Sequence, residues 1–313
     1  MPAKPAQSSS HVAMIRPANF ASNPETLESN RFQTAVSDRA AADVQQTAVA
    51  EFDALARALQ NAGVTVHVFD DTVSPVKPDA VFPNNWFSTH ADGTLVLYPM
   101  LAPNRRLERR LDLIEMLHSR DGFHVAATID LSHRESESKY LEGTGSLVLD
   151  RIHRVAYACL SPRTDLDVLG EFGQRLDYDI VAFDALDAGG APIYHTNVLM
   201  SVGTKFAAVC TPAIEAGRRA AIASLLESSG HTLVDLTFDQ MHSFAGNMLE
   251  LETATGDHVV AMSETARRSL TSAQLRTLEA SAAVVSVPIP TIEKLGGGSV
   301  RCMIAELHLP RGR

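Results

Sequence analysis

The feature that most constrains this chain is a period of roughly 50 to 60 residues in its predicted secondary structure. Five times, a segment with helical spacing of apolar residues leads through a glycine or polar turn into an apolar strand. The strands begin at residues 64, 124, 179, 231 and 283, after predicted helices over about 38–61, 104–119, 165–176, 212–228 and 263–280. Further strand pairs lie between these helices, such as 146–150 with 154–160. Each unit therefore has the order strand, strand, helix, strand.

A recurring unit of this length is typical of repeat architectures. Five such units closed around an axis predict an α/β fold, a single-domain propeller of five blades. The alternative is an ordinary doubly wound α/β sheet, since that fold also alternates helices and strands. We expect one catalytic domain over residues 11–313, preceded by a disordered, Pro/Ala/Ser-rich tail over residues 1–10.

Composition narrows the possible partners and compartments. The formal net charge of −10 over 313 residues argues against nucleic acid and anionic membranes as partners. No apolar run reaches the roughly 18 residues of a membrane-spanning helix. Three cysteines cannot form a disulfide framework, so we expect the reducing cytoplasm. Because no Cys-x-x-Cys or His-Glu-x-x-His spacing occurs, neither a metal nor a cofactor is predicted. The oligomeric state stays open, with a homo-oligomer as one option.

A polar cluster follows each of the five strands, about 15 to 20 residues after the strand begins. In a closed ring of repeats, equivalent positions face the same axis, so one residue from each cluster would meet in a central pocket: Asn85, Glu142, His195, Asn247 and Cys302. Singly, each has an ordinary structural explanation, such as a turn asparagine or a capping glutamate. Their nearly constant phase favours a shared functional site.

Cys302 is the candidate nucleophile of this site. It follows three glycines, residues 296–298, whose backbone can approach a ligand closely, although the stretch alone fits a buried structural cysteine equally well. With His195 it forms a pair that supplies a thiolate and a general acid/base. Glu142 would orient the histidine or bind substrate nitrogens. Cys159 and Cys210 lie in apolar runs and are predicted to be inert.

With these residues, the chain resembles the guanidino-group-modifying superfamily: arginine deiminase, dimethylarginine dimethylaminohydrolase and the amidinotransferases. The resemblance spans His11 to Leu309 and rests on motifs in a fixed order: Pro78–Asn85, Asn104–Glu108, Leu141–Gly145, Ser161–Thr164, His195, Ala245–Asn247 and Gly296–Cys302. It implies the five-fold α/β propeller (pentein) fold, with Cys302 as covalent nucleophile, His195 as acid/base and Glu142 as the active-site carboxylate.

The resemblance also implies which residues hold the amino-acid end of the substrate. These are Asp79 and the arginines Arg105, Arg106 and Arg163, and the pattern does not decide between Arg105 and Arg106. A guanidinium fork suits a carboxylate geometrically.

Two amides distinguish this chain from the arginine deiminases, which it otherwise resembles. Those enzymes have Phe-x-x-Asp and His-x-Asp where this chain has Phe82-Pro-Asn84-Asn85 and His195-Thr-Asn197. A carboxylate pairs with a cationic guanidinium, whereas an asparagine offers both a donor and an acceptor, as a neutral ureido group requires. We therefore expect Asn84, Asn85, Asn197 and Asn247 to contact the substrate.

The chain most resembles the citrulline-utilisation hydrolase (citrullinase) branch, also through Met14–Pro17 and Phe82–Trp86. We predict hydrolysis of the small amino acid L-citrulline to L-ornithine, carbon dioxide and ammonia. The alternatives are a hydrolase or deiminase of arginine or a methylated arginine, and an amidinotransferase. A non-catalytic amino-acid-binding protein fits less well, because Cys302, His195 and Glu142 are all present.

Overall fold

The computed structural model describes residues 6–35 and 40–312. Residues 1–5 of the predicted tail and the start of the first predicted helix, at 38–39, lie outside the described residues. Fifteen strands occur within the described part: β1 His11–Arg16, β2 Thr65–Asp70, β3 Phe87–Thr89, β4 Thr94–Leu97, β5 Ala127–Asp130, β6 Val148–Asp150, β7 Val155–Cys159, β8 Asp179–Phe183, β9 Met200–Val202, β10 Phe206–Val209, β11 Thr232–Asp235, β12 Leu249–Glu252, β13 His258–Ser263, β14 Ala283–Val287 and β15 Ala305–Glu306.

These strands form five three-stranded sheets with one shared topology. In each sheet the middle strand pairs antiparallel with one neighbour and parallel with the other. The strand orders are β15-β1-β2, β3-β4-β5, β6-β7-β8, β9-β10-β11 and β12-β13-β14. A parallel pair needs a crossover, and helical segments supply it here. The repeating unit is therefore confirmed, and the single doubly wound sheet is excluded.

The helices are short and mostly lie between the sheets' second and third strands. They are α1 Ala41–Asn61, α2 Pro103–Arg106, α3 Leu111–Ser119, α4 Gly143–Ser146, α5 Leu166–Leu176, α6 Thr196–Leu199, α7 Ala216–Ser228, α8 Phe238–His242, α9 Glu264–Ser269, α10 Ser272–Glu279 and α11 Pro290–Gly296. Single 3-10 turns occur at Pro83–Asn85, Ser132–Glu137, Thr211–Ala213 and Val300–Met303.

Two of the five predicted crossover helices are each split in two. The predicted helix 263–280 breaks because Thr271 has extended backbone (φ −70°, ψ 159°) and caps α10 in a capping box with Gln274. The predicted helix 104–119 breaks at Arg110, also extended (φ −91°, ψ 97°), before α3 begins. Continuous apolar spacing across both breaks concealed the new helix starts.

The first helix shows how these elements pack onto their sheets. Its predicted apolar stripe is fully buried, with Phe52, Leu55 and Leu59 all at 0% exposure. Burying each such side chain contributes about 1.5–3 kcal/mol. The stripe joins a core cluster that also contains Cys302, so the packing of α1 supports the loop that carries the candidate nucleophile.

The segment just before β1 is ordered, so the predicted disorder up to residue 10 is wrong for residues 7–9. The side chain of Gln7 is buried; its Nε2 donates to the carbonyls of Leu149 (2.9 Å) and Val202 (3.0 Å), in β6 and β9. The Ser8 hydroxyl donates to Glu250 at 2.7 Å. The polar side chains of this segment thus bond two backbone carbonyls and one carboxylate, which belong to three different sheets.

Among the described residues, none of the helices combines the length and the apolar character that crossing a bilayer requires.

Candidate active site

The five loops that precede the first strands of the sheets converge on one site: three of them line a cavity, and the other two contribute Glu142 and Asn247 behind its wall. These loops precede β3, β6, β9, β12 and β15, and the first strands of neighbouring sheets contact one another, as β6 does β9 and β9 does β12. The cavity is lined by Thr26, Asn30, Asp79, Phe82, Asn85, Arg105, Arg163, Tyr194, His195, Gly296, Gly297, Gly298 and Cys302. The constant phase in the sequence thus reflects one loop position repeated in five units.

Cys302 lies on the cavity wall and is held by two amides. The Nδ2 atoms of Asn197 and Asn247 each lie 3.3 Å from its Sγ. The amide orientation of Asn247 is fixed, because its Oδ1 accepts the backbone N–H of Arg301 at 3.1 Å and its Nδ2 also donates to the carbonyl of Asn197. Two N–H donors directed at the sulfur stabilise a thiolate.

His195 faces the same cavity and is paired with Glu142 behind it. The Nε2 of His195 lies 2.8 Å from Oε2 of Glu142, which has 0% exposure. Because Glu142 accepts at Nε2, that nitrogen carries the proton and Nδ1 presents its lone pair. Gly145 makes this possible, since a Cβ there would lie 2.7 Å from Nδ1.

Burial and charge set opposite protonation tendencies in this pair. Burial lowers the pKa of His195 to about 4, even though Glu142 acts to raise it. Burial alone would raise the pKa of Glu142, but Arg163, the hydrogen bond from His195 and Arg105 together hold it below its ordinary value. The empty site therefore contains a neutral imidazole beside a carboxylate, which suits a group that must first accept a proton.

Arg163 and Asp79 also line the cavity. Arg163 donates to Glu142 at 3.3 Å and to Ser29 at 2.7 Å, and stacks over Tyr194 at 5.1 Å. Asp79 accepts from Asn23 at 2.7 Å through Oδ2, while its buried Oδ1 has no hydrogen-bond partner among the described residues. Burial raises the pKa of Asp79. An unpaired carboxylate oxygen is a ready acceptor for an ammonium group.

The structure separates the two arginines that the sequence left undecided. Arg105 lines the cavity; it donates to Asn85 Oδ1 at 2.9 Å and forms a two-point pair with Glu108. Arg106 instead donates to the carbonyls of Met100 and Leu101 and does not line the cavity. The prediction that Arg106 contacts the substrate does not fit this placement, because the helical turn of α2 directs the two side chains apart.

Asn84 also lies apart from the cavity. It is completely buried, and its side-chain amide has no hydrogen-bond partner among the described residues. Its carbonyl accepts from Thr144 at 3.2 Å and lies against Gly143, so it joins two loops instead of facing the cavity. Of the two adjacent asparagines, Asn85 is the one on the cavity wall, and the predicted substrate contact of Asn84 does not fit.

A polar segment without a predicted helix or strand covers the cavity. We call residues 18–35 the cap segment; within it Asn30 donates to the carbonyls of Gly296 and Gly297, and Thr26 lines the cavity. Gly297 has φ +63°, and a Cβ there would lie 2.6 Å from Asn30 Nδ2. A long polar stretch without periodicity inside a compact domain is unusual unless it has a function. This is the sequence signal from which the cap segment can be predicted.

Comparison with solved structures finds the same fold. ArgZ, an arginine dihydrolase from the ornithine-ammonia cycle in cyanobacteria, matches with a TM-score of 0.73 and 18% identity over 96% of this chain. The match covers 41% of that protein, so this chain spans about two fifths of its length. The N-terminal domain of an ArgZ variant covalently bound to a reaction intermediate matches at TM-score 0.72 and 18% identity, covering 96% of this chain and 99% of that one.

A dimethylarginine dimethylaminohydrolase in an adduct with 4-chloro-2-hydroxymethylpyridine matches at TM-score 0.63 and 14% identity, over 95% of this chain and 99% of that one. These matches show a shared fold, the α/β architecture of five small sheets. The comparison with curated proteins gave no significant match. The family model described as N,N dimethylarginine dimethylhydrolase, eukaryotic, matches residues 16–309, and the chain belongs to that family.

Proposed function

We propose that this protein is a cysteine-dependent hydrolase that cleaves the ureido group of L-citrulline. The observation that carries this proposal is the neutral surrounding of the nucleophile. Among the described residues, the side chains within hydrogen-bond distance of the Cys302 sulfur are the amides of Asn197 and Asn247, without a carboxylate. Asn85 places a third amide on the cavity wall. Amides match a neutral group that both donates and accepts.

The charged residues of the cavity suit an α-amino acid. The unpaired Oδ1 of Asp79 can accept from an α-ammonium group, and Arg163 offers a guanidinium for an α-carboxylate. Arg105 is already paired with Glu108, so it can add charge but must give up a contact to bind the substrate directly.

In the first half-reaction, Sγ of Cys302 attacks the ureido carbon while the thiol proton passes to His195. The tetrahedral intermediate collapses as the bond to the terminal nitrogen breaks, and His195 gives its proton to the leaving ammonia. Carbon now bonds to sulfur and to the ornithine side-chain nitrogen. In the second half-reaction, water loses a proton to His195 and attacks this carbon, and the C–S bond breaks. The released carbamate loses carbon dioxide and leaves ornithine, so one water is consumed.

Each side chain has a defined part in this sequence. His195 is neutral before the reaction and becomes charged during each half-reaction, and the carboxylate of Glu142 stabilises that charge at 2.8 Å. The amides of Asn197 and Asn247 stabilise the negative charge on sulfur as its proton leaves and again when the C–S bond breaks. A urea carbon is a weak electrophile, so the oxygen that becomes negative also needs an N–H donor, for which Asn85 is suitably placed.

A second candidate substrate is arginine, which would be hydrolysed twice, through citrulline. It is favoured by two buried carboxylates, Asp79 on the cavity wall and Glu142 beside His195, since pairing with a carboxylate stabilises a buried guanidinium cation. ArgZ, which shares the fold, is described as an arginine dihydrolase. The same thiolate chemistry serves both substrates.

Separate incubations with citrulline and arginine decide between them. A citrulline hydrolase releases ornithine and one ammonia from citrulline and leaves arginine intact, whereas an arginine dihydrolase also converts arginine to ornithine. Accumulation of citrulline from arginine, with citrulline itself inert, would contradict the proposal and indicate a deiminase. An amidinotransferase would instead need an added acceptor amine for turnover.

Thiol labelling tests the nucleophile independently of the substrate. Iodoacetamide should modify Cys302 alone, and saturating citrulline should protect it. Burial raises the pKa of Cys159 to about 12 and that of Cys210 to about 11, so both should stay unmodified. Cys302→Ala should bind citrulline without turnover, and residual turnover would disprove covalent catalysis. All three cysteines are free, which supports the predicted cytoplasmic location; that location and a homo-oligomeric state stay predictions.

A further inference from the structure

A second cluster of ligand-type side chains joins two neighbouring sheets away from the cavity. Asp150 ends β6, His153 lies in the turn before β7, and His231 immediately precedes β11. One ligand atom from each of the three residues lies within 4.8 Å of the others. The loop carrying Glu142 enters β6 from the other end, so this cluster and the cavity occupy opposite ends of that strand.

The buried carboxylate in this cluster has no permanent cation. Asp150 is 0% exposed, and among the described residues its ion pairs are with His153 (2.8 Å) and His231 (3.8 Å), not with lysine or arginine. Hydrogen bonds offset part of the cost of burying this carboxylate, since Asp150 accepts the backbone N–H of His153 at 2.9 Å and its two oxygens lie 3.0 and 2.8 Å from Nδ1 of His153. A bound cation would remove the rest of that cost.

The tautomer of His231 makes the gap to Asp150 suitable for a cation. Its Nδ1 lies 3.1 Å from the carbonyl of Leu226, which can only accept, so Nδ1 carries the proton. Nε2 therefore presents a lone pair to the carboxylate oxygen 3.8 Å away. Two acceptors facing each other repel unless a positive charge lies between them. A ligand histidine whose other nitrogen donates to a carbonyl is the usual arrangement at metal sites.

We propose that Asp150, His153 and His231 bind a divalent metal ion of the zinc class. Two imidazoles and a carboxylate, with water as the fourth ligand, are a known donor set for zinc. Bonds of about 2.0–2.1 Å in tetrahedral geometry place ligand atoms about 3.4 Å apart. The observed separations of 2.8 Å and 3.8 Å lie on either side of that value, so small side-chain movements complete the site.

Solvent reaches this site through His153, whose side chain is 41% exposed, while those of Asp150 and His231 are 1% and 2% exposed. A water ligand can therefore occupy the open side. The ion would link the β6–β7 turn to the start of β11 and so hold together the two sheets whose loops supply Glu142 and His195. Its role is structural, and the short-spacing motifs sought in the sequence could not reveal it, because its ligands come from separate repeats.

The test uses full-length protein treated with a chelator and then titrated with Zn²⁺ and with Co²⁺. We expect one tight site, a higher unfolding temperature with zinc, and a cobalt visible band without thiolate charge transfer, which separates this site from Cys302. His231→Gln should weaken binding at least about 100-fold and remove the temperature shift. His133→Gln, at an exposed histidine outside the cluster, should behave as wild type.

His153→Gln provides a second variant in case His231→Gln does not fold, because His153 lies in an exposed turn and contributes little to the core. It should also lose tight binding. The proposal is overturned if the wild type binds neither metal at micromolar concentration. It is equally overturned if both cluster variants bind with wild-type affinity, since the ion then lies elsewhere.

Discussion

The Nε2 atom of His195 lies 2.8 Å from Oε2 of Glu142, and their side chains are 2% and 0% exposed. Burial nevertheless prevails over this carboxylate and lowers the pKa of the imidazole to about 4. The histidine is thus neutral in the empty site although it faces an anion. A neutral histidine can accept a proton in catalysis, and its lowered pKa also makes the stability of the fold depend on pH.

The pH dependence of stability should show this link. Between pH about 6.5 and about 4, the unfolded histidine binds a proton that the folded one does not, so stability falls as the pH falls. His195 alone should cost about 3 kcal/mol across that window, and nothing above it. Urea unfolding of wild type and His195→Gln at both ends of the window measures the difference; other buried histidines, such as His11, cancel. Equal losses in both proteins would contradict the assignment.

Asn85→Asp should shift selectivity from citrulline towards arginine. In the wild type, Nη1 of Arg105 lies 2.9 Å from Oδ1 of Asn85, and the new carboxylate keeps this contact. However, it places an anion where a ureido group needs a donor. We expect kcat/KM for citrulline to fall at least about 100-fold and the arginine-to-citrulline ratio to rise. Steady-state kinetics with both substrates measure this ratio, and an unchanged ratio would show that Asn85 does not read the reactive group.

Asn84→Asp is the matched control for that substitution. It introduces the same charge one residue away, where the side chain is completely buried without a hydrogen-bond partner among the described residues. We expect a loss of stability of about 3 kcal/mol or more, since an unpaired buried carboxylate results. The folded fraction should keep the wild-type substrate preference.

The two adjacent arginines should differ sharply in effect. Arg105→Lys removes a planar fork that contacts Glu108 at two points and Asn85 at a third, and a lysine cannot reproduce it. We expect kcat/KM to fall about 100-fold or more. Arg106→Lys, at a side chain held by backbone carbonyls outside the cavity, should change kcat/KM by less than about threefold. Comparable losses in both variants would mean that the local fold, not the cavity contact, is responsible.

Gly297→Ala should weaken substrate binding by displacing the cap segment. Its φ of +63° strains an alanine, and the new Cβ would lie 2.6 Å from Asn30 Nδ2. Gly230→Ala is a control for strain alone, since Gly230 has φ +87° with no atom within 4 Å of a Cβ. Both should lose about 1 kcal/mol of stability, and Gly297→Ala alone should raise KM. Equal kinetics in the two variants would remove the cap segment from substrate binding.

The sequence predicted the sheets and the convergence of loops well, because both follow from a regular period. Strands such as β14, predicted and observed over residues 283–287, are bounded by clear turn signals. Helix ends were less predictable: the capping box of Thr271 and Gln274 interrupts an apolar pattern that itself continues. There the hydrogen bonds of the capping box, and not the apolar periodicity, determine where the helix begins.

Contacts between segments remote in sequence were beyond prediction. Gln7 was assigned to a loose tail because its bonding partners, Leu149 and Val202, become neighbours only in the folded ring. The cavity contacts of Asn30 and Thr26 escape prediction for the same reason. The choice between Arg105 and Arg106 depends on which side of one helical turn meets the cavity, and four helical residues carry no periodic signal that would reveal it.

The pairing of β15 with β1 has a consequence for the order of assembly. Val12 lies opposite Glu306 and Ala13 opposite Ala305, so β1 waits for the synthesis of β15 before its sheet is complete. Four sheets can form from nearby segments, whereas this fifth one requires contacts across almost the whole polypeptide, which slows the closing step. Sulfur and imidazole are therefore brought together only as the ring shuts, and a partly synthesised molecule carries no competent centre.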